Sequence, residues 1–148
     1  MAEYEHSLEA AVSADAVWEL YADPTSWPSW DSGVERVELD GPLATGVTGR
    51  FTPLGAEALP FTVIQAEANR GFTDEFAFPG AVLRGTHTIT PLGGGRTRIT
   101  HRMELTGPDA EQLAPELMPG ITDDIPLTIA AWAAAAAQRS APAAPPVG

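Results

Sequence analysis

The sequence predicts an α+β domain in which a curved antiparallel sheet of six or seven strands wraps around one long C-terminal helix, with two short helices after the first strand. Three observations predict it. An alternating N-terminal segment is followed by two short helical stretches. A long run from Val34 to Leu105 alternates apolar and polar residues between Gly, Pro, Asp and Asn signals. An apolar stripe at helical spacing then closes the domain.

Each element has its own signature. From Tyr4 to Val12, the residues Tyr4, His6, Leu8, Ala10 and Val12 share one face, and Glu5, Ser7, Glu9 and Ala11 the other, which is a half-buried strand. Ser13 precedes Asp15, Ala16, Val17, Trp18, Leu20 and Tyr21, so it caps a short helix that Pro24 stops. Trp27-Pro28-Ser29-Trp30-Asp31 reads as a second helical turn carrying two large rings. The strands that follow are Val34–Leu39, Val47–Thr52, Phe61–Ala68, Phe72–Phe78, Ala81–Thr90 and Arg96–Thr106. Gly107-Pro108-Asp109 ends the sheet, and Pro115 and Pro119-Gly120 are expected to break the helical region early. Pro126 fits the first turn of the last helix, whose stripe is Ile121, Ile125, Thr128, Ile129, Trp132 and Ala136. The domain is therefore expected over residues 1–139, with a disordered Pro/Ala-rich tail over 140–148.

Composition excludes several kinds of chemistry. The 148 residues contain no cysteine, which removes disulfides, thiol nucleophiles and thiolate zinc sites. All eight basic residues are arginine; without lysine neither a Schiff base nor a Walker-type phosphate loop is available. A formal net charge of −12 repels phosphate backbones and anionic lipid, so neither nucleic acid nor a membrane is an expected partner. No run of about 18 apolar residues occurs. Met1-Ala2-Glu3-Tyr4-Glu5 lacks the basic-then-apolar order of a signal peptide, so a cytoplasmic location is expected.

Three strings give the chain a resemblance to a known family. Ala16-Val17-Trp18-Glu19-Leu20 through Asp23-Pro24, then Trp27-Pro28-Ser29-Trp30-Asp31 with Val34 and Gly46-Val47-Thr48-Gly49, and last Gly95-Arg96-Thr97-Arg98-Ile99-Thr100-His101-Arg102 resemble the START-like (SRPBCC) superfamily, in particular its polyketide cyclase/dehydrase branch. The resemblance runs from about Tyr4 to Gln138. It implies a helix-grip fold with a ligand cavity between sheet and C-terminal helix, and the first strand beside the last. The family includes cyclases, dehydratases, lipid and hormone carriers and cochaperone-like modules, without one catalytic motif.

Turn geometry gives a register. A three-residue Gly93-Gly94-Gly95 loop pairs Leu92 with Arg96 and opposes Ile89 to Ile99, His87 to His101 and Leu83 to Leu105. A two-residue Pro79-Gly80 loop opposes Phe76 to Leu83, Asp74 to Gly85 and Phe72 to His87. Asp74 is then diagonal to His87, about 7–8 Å away at Cα–Cα, and Gly85 leaves space beside it. His6, His87 and His101 share the inward face.

One helix cannot fill a curved sheet, so a cavity is expected. His87, oriented by Asp74, is a candidate acid/base group, and His101 a candidate for polarising a carbonyl. Structural hydrogen bonding is the alternative account of His87 and His101, and the more usual one for buried histidines. A three-histidine metal site would lack a carboxylate neighbour beyond Asp74, so no metal or cofactor is expected. Candidate ligand contacts are His6, Tyr4, Trp27, Trp30, Phe72, Phe76, Leu83, Met103, Met118, Ile125, Ile129 and Trp132. Asp123 and Asp124 fit the negative charge favoured at a helix start. The expected function is binding of an aromatic or polyketide-like molecule with cyclisation or dehydration. The alternatives are a non-enzymatic carrier or sensor and a cochaperone-like module. A homodimer is left open.

Overall fold

A computed structural model describes residues 2–29, 31 and 33–140, without the side chains of Ile121, Arg139 and Ser140. Trp30 and residues 141–148, where most of the expected tail falls, lie outside the described residues. Seven strands form one antiparallel sheet: β1 (Ala2–Ala10), β2 (Val34–Leu39), β3 (Thr48–Pro53), β4 (Leu59–Glu67), β5 (Gly71–Phe78), β6 (Ala81–Gly93) and β7 (Arg96–Thr106). Their order is β1-β7-β6-β5-β4-β3-β2, so consecutive strands from β2 to β7 are neighbours and β1 closes the far edge beside β7. Helix α1 (Ala14–Tyr21) and a 3-10 turn (Pro24–Ser29) link β1 to β2, while α2 (Ala110–Thr122) and α3 (Ile125–Ser140) follow the sheet.

Local chemistry explains these boundaries. Ser13 Oγ accepts the Ala16 N–H at 3.2 Å, capping α1 as the Ser-before-apolar pattern requires. Register shifts at Val34/Arg36, Val63/Gln65 and Pro91/Gly93 insert extra residues into the ladder, which bends and twists the sheet. The pairings Phe72–His87, Asp74–Gly85, Phe76–Leu83, His87–His101 and Ile89–Ile99 all occur as the turns imply. At its tip the β6–β7 hairpin differs from expectation. Gly93 pairs with Arg96, leaving a two-residue Gly94-Gly95 loop in place of three, and Leu92 is the bulged residue. Both loop glycines have positive φ (63° and 75°), the conformation that lets a two-residue hairpin follow the strand twist.

The second difference lies in α2, which runs through Pro115 and Pro119 instead of breaking. Each proline removes one N–H, leaving the carbonyls of Glu111 and Pro115 without their usual helical donors. Glu111, Pro115 and Pro119 are all exposed, so water replaces the lost bonds and burial adds no penalty.

The main core lies between the concave sheet face, α1 and α3: Val17, Leu20 and Tyr21 meet Val63, Ile89, Ile99, Ile129, Trp132 and Ala136. A second cluster of Ala81, Leu83, Leu105, Ala110 and Met118 fixes α2 over the other end of the central strands. The convex face is ionic. Arg102 bridges β1 and β7 through Glu3 (2.9 Å) and Glu104 (3.0 Å), and Arg84 meets Glu75 at 2.9 Å. Among the described residues no helix is long and apolar enough to cross a membrane.

Helix α3 carries no charged residue from Ile125 to Gln138, so burial alone distinguishes its faces. Ile129 is 0% exposed and Leu127 74%. Ile129→Ala is expected to destabilise the domain by about 2–5 kcal/mol, and Leu127→Ala to stay within about ±0.5 kcal/mol, both measured by urea unfolding.

Candidate functional site

Between the sheet and the C-terminal helices lies a cavity of about 300 Å³. Aromatic and aliphatic groups make most of its wall: Phe51, Phe76, Phe78, Leu83 and Met103 from the sheet, Trp27 from the 3-10 turn, and Ile125 and Trp132 from α3. The polar groups on the wall are Asp74, His87 and His101 from the central strands, with Asp31, Asp124 and Thr128.

The period-two pleat brings the histidines together. His6 and His101 are directly paired across β1 and β7, and His101 and His87 across β7 and β6. The His87 and His101 rings meet edge to face with centroids 4.5 Å apart. Phe72 stacks on the other side of His87 at 4.4 Å. His87 Nε2 reaches Asp74 Oδ2 at 3.3 Å, and both side chains are nearly buried. Its Nδ1 is buried with no hydrogen-bond partner among the described residues.

Gly85 makes the contact to Asp74 feasible. A Cβ at residue 85 would stand 2.6 Å from Asp74 Oδ1 and 3.2 Å from the Met103 sulfur. The carboxylate thus occupies the volume that any side chain at that position would need.

His101 is 2% exposed, and its Nε2 lies 2.9 Å from the Tyr21 hydroxyl. Burial first, and then the adjacent His87 and His6 rings, hold its imidazole well below the ordinary value near 6.5. Tyr21 is itself fully buried, and that burial pushes its phenol upward, so it keeps its proton. Just beyond the 3-10 turn, burial raises the Asp31 carboxyl, the Gly33 N–H at 3.0 Å opposes that shift, and Asp124 raises it further.

Of the residues read from sequence, Asp74, His87, His101, Trp27, Phe76, Leu83, Met103, Ile125 and Trp132 meet at the cavity. Five others face inward elsewhere. His6 is half-buried beside His101 and off the wall; Phe72 lies behind His87; Ile129 is packed into the core. Tyr4 and Met118 line a separate groove between β1 and α2. For Tyr4, pleat phase fixes the face but not the position along it, and α2, which carries Met118, covers that end. The wall residues Asp31, Phe51, Phe78 and Thr128 are absent from the sequence candidates, and so is Tyr21, which holds His101 from behind. The signal for Tyr21 is the Val17, Leu20, Tyr21 spacing of α1, which turns the phenol toward the sheet. Among the described residues no group of three or more His, Asp or Glu side chains is arranged to hold a metal ion.

The sequence profile of the family described as polyketide cyclase/dehydrase and lipid transport matches residues 1–136. The chain belongs to that family. Among solved structures, norcoclaurine synthase from Thalictrum flavum, in complex with dopamine and hydroxybenzaldehyde, superposes with a TM-score of 0.72 at 19% identity, over 95% of this chain and 89% of that one. A Thermobifida fusca protein gives 0.73 at 20% identity, over 97% and 99%. A Nitrosomonas europaea protein gives 0.71 at 17%, over 93% and 95%. These likenesses establish the helix-grip fold. No curated protein sequence matches significantly.

Two outcomes follow for this member of the family. The unfolded chain protonates His101 near 6.5 while the folded chain resists. The unfolded state therefore binds more protons below that pH, and stability falls as pH drops, by up to about 1.4 kcal/mol per pH unit from this group. Urea unfolding across a pH series should show that slope in the wild type and its loss in His101→Gln. Gly85→Ala is expected to lose about 1–3 kcal/mol by displacing the Asp74 carboxylate, again by urea unfolding. Gly120→Ala, inside α2 with nothing within 4 Å of the added carbon, is the contrasting control, expected to gain up to about 1 kcal/mol as alanine replaces glycine in a helix.

Proposed function

We propose that the cavity binds an aromatic or polyketide-like small molecule and that His87, supported by Asp74 and His101, performs acid/base chemistry on it of the kind used in cyclisation or dehydration. The family supports the ligand class: its description joins polyketide cyclase/dehydrase with lipid transport. The observation that carries the chemical reading is the unpartnered His87 Nδ1 in a ring on the cavity wall whose other nitrogen is held by Asp74. A buried polar atom left without a partner points to a contact completed by something outside the chain.

The mechanism needs few groups. The apolar wall excludes water and holds a flexible ligand in one folded conformer, which by itself supplies much of an intramolecular reaction's acceleration. His87 takes a proton from a carbon acidified by an adjacent carbonyl, or from a hydroxyl, and the carboxylate of Asp74 stabilises the imidazolium that forms. His101, kept neutral by burial, hydrogen-bonds the carbonyl oxygen as negative charge develops there. The proton returned from His87 to the leaving hydroxyl completes a dehydration.

A carrier would bind the same molecules without this chemistry. The two readings separate with acetylnaphthalene, an aromatic methyl ketone. Binding is expected to quench the fluorescence of Trp27 and Trp132. In deuterated water the protein should exchange the methyl protons of the bound ketone, followed by NMR. His87→Gln is expected to slow that exchange by about 10²-fold or more while leaving affinity nearly unchanged. Binding without exchange would assign the carrier role; no binding would remove the aromatic-ligand reading.

A further inference from the structure

We infer that Tyr21 is a positioning residue: it fixes His101 in the tautomer protonated at Nδ1, opposite to that of His87, so that the cavity presents one imidazole donor beside one imidazole acceptor. The inference deepens the acid/base reading and rests on it for its functional meaning. The tautomers themselves follow from hydrogen-bond bookkeeping.

The Tyr21 hydroxyl is fully buried, and its hydrogen bond among the described residues is to His101 Nε2 at 2.9 Å. A phenol has a single proton to donate. If Nε2–H donated to the phenol oxygen, the phenol proton would be left buried without an acceptor, at the full desolvation penalty of a polar group. The phenol therefore donates, Nε2 carries the lone pair, and neutral His101 holds its proton on Nδ1. At His87 the partner is a carboxylate, which only accepts, so Nε2 carries a proton and, in the neutral ring, Nδ1 the lone pair. Two rings 4.5 Å apart are thus held in opposite states by different partners, Tyr21 from α1 and Asp74 from β5.

The arrangement bears on which ligands fit. His101 Nδ1–H suits a ligand atom that accepts, such as a carbonyl oxygen, and His87 Nδ1 one that donates. Tyr21 touches no ligand in this scheme: it is absent from the cavity wall and acts through His101. Burial of the pair supports it, since a neutral His101 retains a defined tautomer where a charged one would have none.

Nitrogen-15 NMR of the imidazoles in the full chain at neutral pH tests the assignment without any ligand. His101 is expected to show a protonated, pyrrole-like Nδ1 and a bare, pyridine-like Nε2, and His87 the reverse. The same tautomer at both rings, or a protonated Nε2 at His101, would overturn the inference. In Tyr21→Phe the His101 signals should move toward a mixture of tautomers; an unchanged Nδ1–H tautomer would show that Tyr21 does not set it. With acetylnaphthalene and its reduced alcohol as a matched pair, the wild-type preference for the ketone should fall by about fivefold in Tyr21→Phe. If that variant fails to fold, the wild-type spectrum decides. Absent ketone binding with opposite tautomers observed would sink the ligand reading and leave the positioning role of Tyr21 standing.

Discussion

Large rings hold the helical layer and the sheet at a fixed separation where Tyr21, Trp132 and His101 meet. The Tyr21 and Trp132 centroids are 4.3 Å apart, Trp27 meets Trp132 edge to face at 5.0 Å, and Tyr21 meets Phe72 at 5.3 Å. Each such pair contributes about 0.5–1.5 kcal/mol beyond its buried area. Together they form a wedge that keeps α3 from settling onto the sheet. On the side of β1 and α1 the space is filled by Val17, Leu20, Ile99 and Ile129; toward β3, β4 and β5 it stays open and is lined by Phe51, Leu59 and Phe76. The cavity is the remainder.

This geometry also explains why polar groups lie at the inner end of an apolar chamber. Burying His87, His101 and Asp74 is tolerable because partners come from elements fixed by the same wedge: Tyr21 from α1 and the carboxylate from β5. His87 is clamped between Phe72 and His101, so its ring plane is set by packing before any hydrogen bond is counted. Rigid placement of this kind is what the acid/base role proposed for His87 requires.

Much of the fold was legible because it rests on local chemistry. Alternation of two and the positions of Gly and Pro gave β5, β6 and β7 their register, and with it the meeting of Asp74, His87 and His101. Less legible were features set by how elements sit on one another. Tyr4 has the inward phase, yet α2, whose Met118 packs at that end, covers it and separates both residues from the chamber. Tyr21 reads in the sequence as one more apolar helix residue, because its role depends on the rotation of α1 over the sheet. The prolines of α2 misled for a different reason: their disruption is decided by solvent access to the carbonyls one turn earlier, which no string of residues states.

Gly85 and Asp74 lie on neighbouring strands and share one volume. The glycine is useful only while the carboxylate fills the gap, and the carboxylate reaches the imidazole only while the gap exists. Substitutions at the two positions are therefore not independent, and an evolutionary path away from this pair passes through a chain that is either crowded or hollow at that point. The missing side chain is as much a part of the chamber as any ring on its wall.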